Sequence, residues 1–216
     1  HKEAHNIYGH MMAKATYEGL KKATGKRPFI VTRACYSGTQ KYSTIWTGDN
    51  QSTWEHLRMS LPMLMNLGLS GLAYCGTDVG GFGFDCTGEL LSRWVQVGAF
   101  TPFFRNHSSL ATRDQEPWAF DRETEEINRK YIKLRYKFIP YDAYRKCELD
   151  GTPIFKPLLY NYQYDKNTYE INDEFLFGDN ILVAPVVEAG ARKRLVYLPQ
   201  GDSWIDYWTK DEFTGG

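Results

Sequence analysis

The 216-residue sequence has no excess of charge of either sign. Its 26 Lys and Arg balance 26 Asp and Glu, so no basic field is present to attract nucleic acid. Long hydrophobic runs are missing as well: no stretch approaches the roughly 18 apolar residues of a membrane span, and no membrane partner is expected. Cysteine is scarce. Cys35, Cys75, Cys86 and Cys147 are scattered, without a CxxC pair or a Cys/His cluster, which argues against a zinc site and against a dense disulfide framework. Neither a metal nor a cofactor is expected, and the scattered thiols suit a reduced, cytosolic protein. Three catalytic signatures are also lacking: the GxxxxGK[ST] phosphate loop, a GxGxxG after a strand and the GxSxG elbow.

Aromatic side chains are plentiful. They make up 15% of the chain, with 15 Tyr and 6 Trp, which suits a rigid β-rich part or a sugar-binding surface. The first residues, "HKEAHNIYGHMMAKATYEG", read as the inside of a helix over 4–22, so the true N-terminus is expected upstream. "PFIV" (28–31) predicts a strand buried on both faces, and "YSTIW" (42–46) a second strand. Only about ten residues separate these two, so a short helical turn must serve as their crossover. Ser52-Thr53-Trp54-Glu55 predicts a capping box before a helix marked by Trp54, Leu57, Leu61 and Leu64, with a kink at Pro62. "GLAYCG" (71–76) predicts a third strand, Leu90, Leu91, Trp94 and Val95 a helix, and "FTPFF" (100–104) a fourth strand. Ile127, Tyr131, Leu134, Phe138 and Tyr141 mark one face of a long helix that Pro140 should bend.

From residue 151 onward the texture is short β-type runs between turns, which places a boundary at 150–152. The alternation before it predicts an α/β part with a parallel sheet, either an open doubly wound sheet or part of a (β/α)8 barrel. Parallel strands point one way, so the residues that follow them share a face. Those residues are Arg33, Asp49, Asp78 and His107. Each has an ordinary explanation alone: a turn, an ion pair, a satisfied imidazole. Four in register point to a site at the strand ends, where barrel enzymes gather their catalytic groups. Carboxylates, an Arg, a His and nearby rings suit a neutral polyhydroxylated substrate. Charged groups hold hydroxyls and rings stack on the C–H face of a sugar.

The block "RPFIVTRACYSGTQKYSTIWTGDNQSTWEHLRMSLPMLMNLGLSGLAYCGTDVGGF", followed by "FTPFFRNHS" and "EPW", resembles the catalytic core of glycoside hydrolase family 31. "FLFGDNILVAPVV" and "YLPQGDSWIDYWTKDEFTGG" resemble the β-sandwich after that family's barrel. The resemblance covers essentially the whole chain. It implies the C-terminal half of a (β/α)8 TIM barrel in residues 1–150, then the beginning of an all-β sandwich domain in 151–216. It also implies a retaining α-glucosidase acting on α-linked oligosaccharides. In that reading Asp49 of "WTGDN" is the general acid/base; Arg33, Asp78 and His107 grip sugar hydroxyls, and Trp46 and Phe82 wall the subsite. The family's nucleophile, an Asp in a segment like Asp-Met-Asn-Glu-Pro, would precede "HNIYGH" and is not among these residues. The 216 residues are therefore expected to be a fragment, inactive alone. On the same scaffold the alternatives are an α-xylosidase or a transglucosidase. A non-catalytic carbohydrate-binding subunit is the alternative from another class. Asn50, directly after the acid/base, leans towards glucose.

Overall fold

The computed structural model describes residues 2–216. A first helix, α1 (Tyr8–Thr24), is closed by Gly25 in the left-handed conformation, and residues 2–7 ahead of it form turns rather than helix. Four short strands then form one parallel sheet: β1 (Val31–Thr32), β2 (Thr44–Trp46), β3 (Cys75–Val79) and β4 (Phe103–Asn106). The spatial order β1-β2-β3-β4 follows the sequence, with no reversal of direction across the sheet. A doubly wound sheet needs such a reversal; a barrel does not. A 3₁₀ turn at Thr39–Lys41 carries the short crossover between β1 and β2.

β1 departs from expectation. Only Val31 and Thr32 pair, and Phe29 is 66% exposed, because β1 is the edge strand and has a neighbour on one side only. β3 departs too, lying at 75–79 rather than 71–76. All five of its residues are buried, and the apolar "GLA" run before it leads into the strand instead of forming it.

Between the strands lie α2 (Trp54–Leu69) and α3 (Gly88–Gly98). α2 starts on Thr53, whose hydroxyl accepts from the His56 backbone N–H at 3.2 Å. Ser52 is not the cap: its own N–H donates to the Gly83 carbonyl at 2.8 Å, which ties it to the loop after β3. The reciprocal capping box expected from Ser52 and Glu55 is therefore not formed. α2 runs unbroken through Pro62. α4 (Arg122–Phe138) ends just before Pro140, and the chain restarts as α5 (Asp142–Asp150), so the proline separates two helices.

The remaining strands are antiparallel: β5 (Phe155–Pro157), β6 (Phe175–Phe177) and β7 (Ile181–Val183) form one sheet, β8 (Ser203–Ile205) and β9 (Glu212–Thr214) a hairpin. The core is continuous across both parts. Ile45, Cys75 and Val79 of the parallel sheet, Leu57, Leu61, Leu64 and Trp94 of the helices, and Phe155, Phe175 and Phe177 of the antiparallel sheet belong to one buried cluster. α2 and α3 are thus packed on two sides, which explains why their buried residues spread over more than a narrow stripe. That packing turns the other face of the parallel sheet, and its strand ends, away from the core. Among the described residues no helix is long and apolar enough to cross a membrane, and all four cysteines are free thiols.

Candidate active site

Asp49 leaves β2 on a tight turn. Gly48 has φ +84°, a left-handed conformation, and a Cβ there would stand 3.0 Å from the Arg33 guanidinium. Glycine therefore lets the backbone turn while Arg33, directly after β1, reaches across. The Asp49 carboxylate stands 3.6 Å from Arg33 Nη1, and both side chains are about half exposed, so the pair is open to a ligand. Asn50, the next residue, turns inward. Its carbonyl accepts from Phe82 N–H at 2.7 Å and Gly83 N–H at 3.1 Å, and its amide donates to the Asp78 carbonyl at 3.2 Å.

Asp78 is not a loop residue after β3, as its neighbours in sequence suggest, but an interior member of it. Residues alternate across a strand. Thr77 faces the helices and accepts from the Trp94 indole N–H at 3.0 Å, so Asp78 faces the opposite side. There it pairs with Arg105, its direct partner in the β3–β4 register. Asp78 is fully buried, and its Oδ2 has no hydrogen-bond partner. Burial pushes its carboxyl above the ordinary carboxylate value; Arg105 and His107 pull it down, and the Asp49 charge pushes it up again. Arg105, His107 and Asp49 thus all stand within electrostatic reach of Asp78.

Arg105 was missed by sequence reasoning. Its guanidinium lies 5.0 Å from the Trp46 ring and 5.5 Å from the Phe103 ring. The available signal was its spacing: Arg105 and His107 are two apart, and a strand sends such residues to one side. His107 follows β4 and packs against Phe82, with ring centroids 5.2 Å apart. The buried Gln115 completes the arrangement, and it too was missed. Its amide nitrogen lies within 2.9–3.3 Å of four acceptors: the carbonyls of Val79, Gly81 and His107, and Asn106 Oδ1. Gly80, at φ +91°, leaves no room for a Cβ, which would come within 2.9 Å of that amide.

The six expected site residues therefore lie at the carboxyl ends of β1–β4: Arg33 with Asp49, Asp78 beside Trp46 through Arg105, and Phe82 against His107. Among the buried polar atoms without partners, Trp46 Nε1, Thr47 Oγ1, Asn50 Oδ1, Asp78 Oδ2, Arg105 Nε and Gln115 Oε1 belong to these residues and their neighbours, while others, such as Ser43 Oγ and Glu174 Oε2, lie elsewhere. Groups of this kind are costly unless something pairs with them, and a ligand rich in hydroxyls has both donors and acceptors to offer. No group of three or more His, Cys, Asp or Glu among the described residues is placed to hold a metal ion. A cavity of about 830 Å³ lies elsewhere, at the opposite ends of the strands between α1 and α5, lined by Tyr17, Tyr42, Tyr74, Tyr144 and others; none of the six borders it. The chemistry-bearing groups, not this cavity, mark the candidate site.

Comparison with known proteins agrees with the order of a parallel α/β part followed by a β-rich part. Residues 1–144 match the glycosyl hydrolases family 31 TIM-barrel domain, and residues 151–216 the glycosyl hydrolase family 31 C-terminal domain. The chain is 54% identical, over its whole length, to alpha-glucosidase 2 of Bacillus thermoamyloliquefaciens, of which it covers 28%. It is 43% identical, over 95% of its length, to neutral alpha-glucosidase AB of Homo sapiens, of which it covers 22%. The fold matches a Flavobacterium johnsoniae GH31 dextranase complexed with glucose at a TM-score of 0.93 and 38% identity, over all of this chain and 28% of that one. A GH31 alpha-xylosidase from a soil metagenome complexed with xylose matches at 0.92 and 33% identity, over 97% of this chain and 35% of that one. The chain thus spans about a quarter of the length of the curated relatives it matches.

Proposed function

The chain belongs to glycosyl hydrolase family 31, and from that premise we propose that the protein containing it removes terminal α-linked glucose from oligosaccharides with retention of configuration. Asp49 is the general acid/base. Arg33, Asp78 and His107 hold hydroxyls of the sugar whose bond is cleaved, while Trp46 and Phe82 wall its ring. The nucleophile lies outside these 216 residues. We place the division between the barrel part and the β-rich part at 150–151, where α5 ends on the left-handed Gly151.

The observation that carries this reading is a half-exposed carboxylate just after β2 and a buried one on the neighbouring β3, each beside an arginine. Asp49 stands open to solvent beside Arg33, where it can pass a proton to a leaving group. Asp78 is buried with one oxygen unpaired, which leaves that oxygen to accept a hydroxyl. Retention requires a second carboxylate about 5–5.5 Å from the acid, able to attack the anomeric carbon directly and to stabilise the oxocarbenium-like transition state. The two α-glucosidases at 54% and 43% identity support glucose as the sugar.

The test is turnover of nitrophenyl α-glycosides by the full-length protein. Hydrolysis of the glucoside supports the reading. A strong preference for the xyloside removes the glucose assignment, and sugar binding without turnover of either points to a non-catalytic binder. Asp49→Ala should lower the rate on substrates with poor leaving groups by roughly 10²–10⁴-fold, with azide restoring turnover of activated ones. An unaltered rate rules Asp49 out.

A further inference from the structure

A buried carboxylate that must accept hydroxyl groups has a difficulty of its own. Asp78 is shut off from water, and desolvation favours its neutral form, which would donate a hydrogen bond instead of accepting two. Of the charged groups around it, Arg105 comes from the neighbouring strand β4, His107 follows that strand, and Asp49 follows β2. Only Arg105 is both hydrogen-bonded and cationic at every working pH. We propose that Arg105 is a positioning residue for Asp78: it keeps the carboxylate charged and holds it in one plane, so that the unpaired Oδ2 faces the sugar. This rests on the reading of Asp78 as a sugar-gripping residue.

Three observations carry it. Asp78 and Arg105 are direct cross-strand partners in a parallel pair, so the backbone sets their approach. The guanidinium does not point freely into solvent; it is fixed against two rings, Trp46 and Phe103, and its side chain is 29% exposed. A planar cation stacked in this way presents its N–H groups in a set direction. Finally, Asp78 uses one oxygen for Arg105 and keeps the other free, a division that a solvent-separated pair would not impose. Trp46 is thereby linked to Asp78 through Arg105, so the ring wall and the hydroxyl acceptor are held by one side chain.

The test is the pH profile of kcat/KM for the full-length protein and its variants on an α-glucoside. Asp78 must be ionised to act, so activity is lost as pH falls through its pKa. Arg105→Met removes the charge and keeps much of the volume, and should move that acid limb up by about one pH unit or more, with activity recovering as pH rises. In the double variant Arg105→Met with Asp78→Asn the limb should stay where Asp78→Asn alone puts it. Arg105→Lys keeps the charge on a flexible stem and should leave the limb in place while kcat/KM falls by about tenfold through lost orientation.

A limb in Arg105→Met that superimposes on the wild type, with the rate merely scaled down, would overturn the proposal. So would an Arg105→Lys enzyme within twofold of the wild type, a reading that stands even if the Met variant fails to fold. Absence of wild-type turnover on any α-glycoside defeats the broader functional reading instead, and is seen before any variant is made.

Discussion

Gln115 holds more of the site together than its type suggests. A primary amide has two hydrogens, so its nitrogen can satisfy at most two of the four acceptors around it at a time. Those acceptors belong to the end of β3, the glycine turn after it, and the end of β4. In return Asn106 Nδ2 donates to the Gln115 carbonyl at 2.5 Å. Phe82 and His107 stand at the two ends of this clasp. Gln115→Met keeps the volume and removes the donor. It should cost about 1–3 kcal/mol of stability, because buried acceptors are left unpaired. It should also lower kcat/KM on an α-glucoside by about ten- to a hundredfold, because the ring wall is no longer held in place. Thermal unfolding and steady-state kinetics on the full-length protein check both. A variant with lowered stability and unchanged kcat/KM would confine Gln115 to the fold. Nothing in "RDQEPW" foretells this role, since the partners lie up to 36 residues away.

One of the joints between elements is a shared ion pair. Lys156, in the middle of β5, is fully buried, and its ammonium reaches Asp179 at 2.5 Å in the turn between β6 and β7. Lys146 of α5 donates to the other oxygen of Asp179 at 2.9 Å. Hydrogen bonds from Lys156 and then Lys146 hold the Asp179 carboxyl down at about 2, against an ordinary value of 3.8. An acid whose folded pKa is depressed contributes stability that is complete above its ordinary value and is lost as pH falls through the folded one. The full-length protein should therefore lose this contribution between roughly pH 4 and pH 2, and Asp179→Asn should flatten that part of the acid-unfolding curve. At neutral pH the variant should be destabilised by about 2 kcal/mol. That is less than for a fully enclosed pair, because Asp179 itself is partly exposed. Tryptophan fluorescence against pH reads both effects. An identical acid transition in the variant would remove Asp179 from this role.

Across the whole molecule the parallel sheet has two edges, at β1 and β4. Tyr8, Met11 and Met12 of α1 and Phe29 beside β1 are all more than 45% exposed. Large apolar side chains at the surface beside an unpaired strand edge invite association. The 216 residues expressed alone should show no turnover of maltose and should bind a hydrophobic dye more strongly than the full-length protein. Detectable maltose hydrolysis by the isolated chain would refute the first expectation, and equal dye binding the second. Zero net charge does nothing to oppose such association near neutral pH.

Sequence alone determined the α/β character, the parallel sheet, the short turn between its first two strands, and the charged residues gathered at the strand ends. These follow from hydrophobic period, turn residues and the common direction of parallel strands, all local or additive signals. Tertiary structure decided what local pattern could not carry. β3 is "CGTDV", polar by composition, because Thr77 finds Trp94 on one side and Asp78 finds Arg105 on the other. Helix α2 begins on Thr53 because Ser52 is committed to Gly83. In each case a partner distant in sequence satisfied a polar group, and that exchange exists only once the chain has folded.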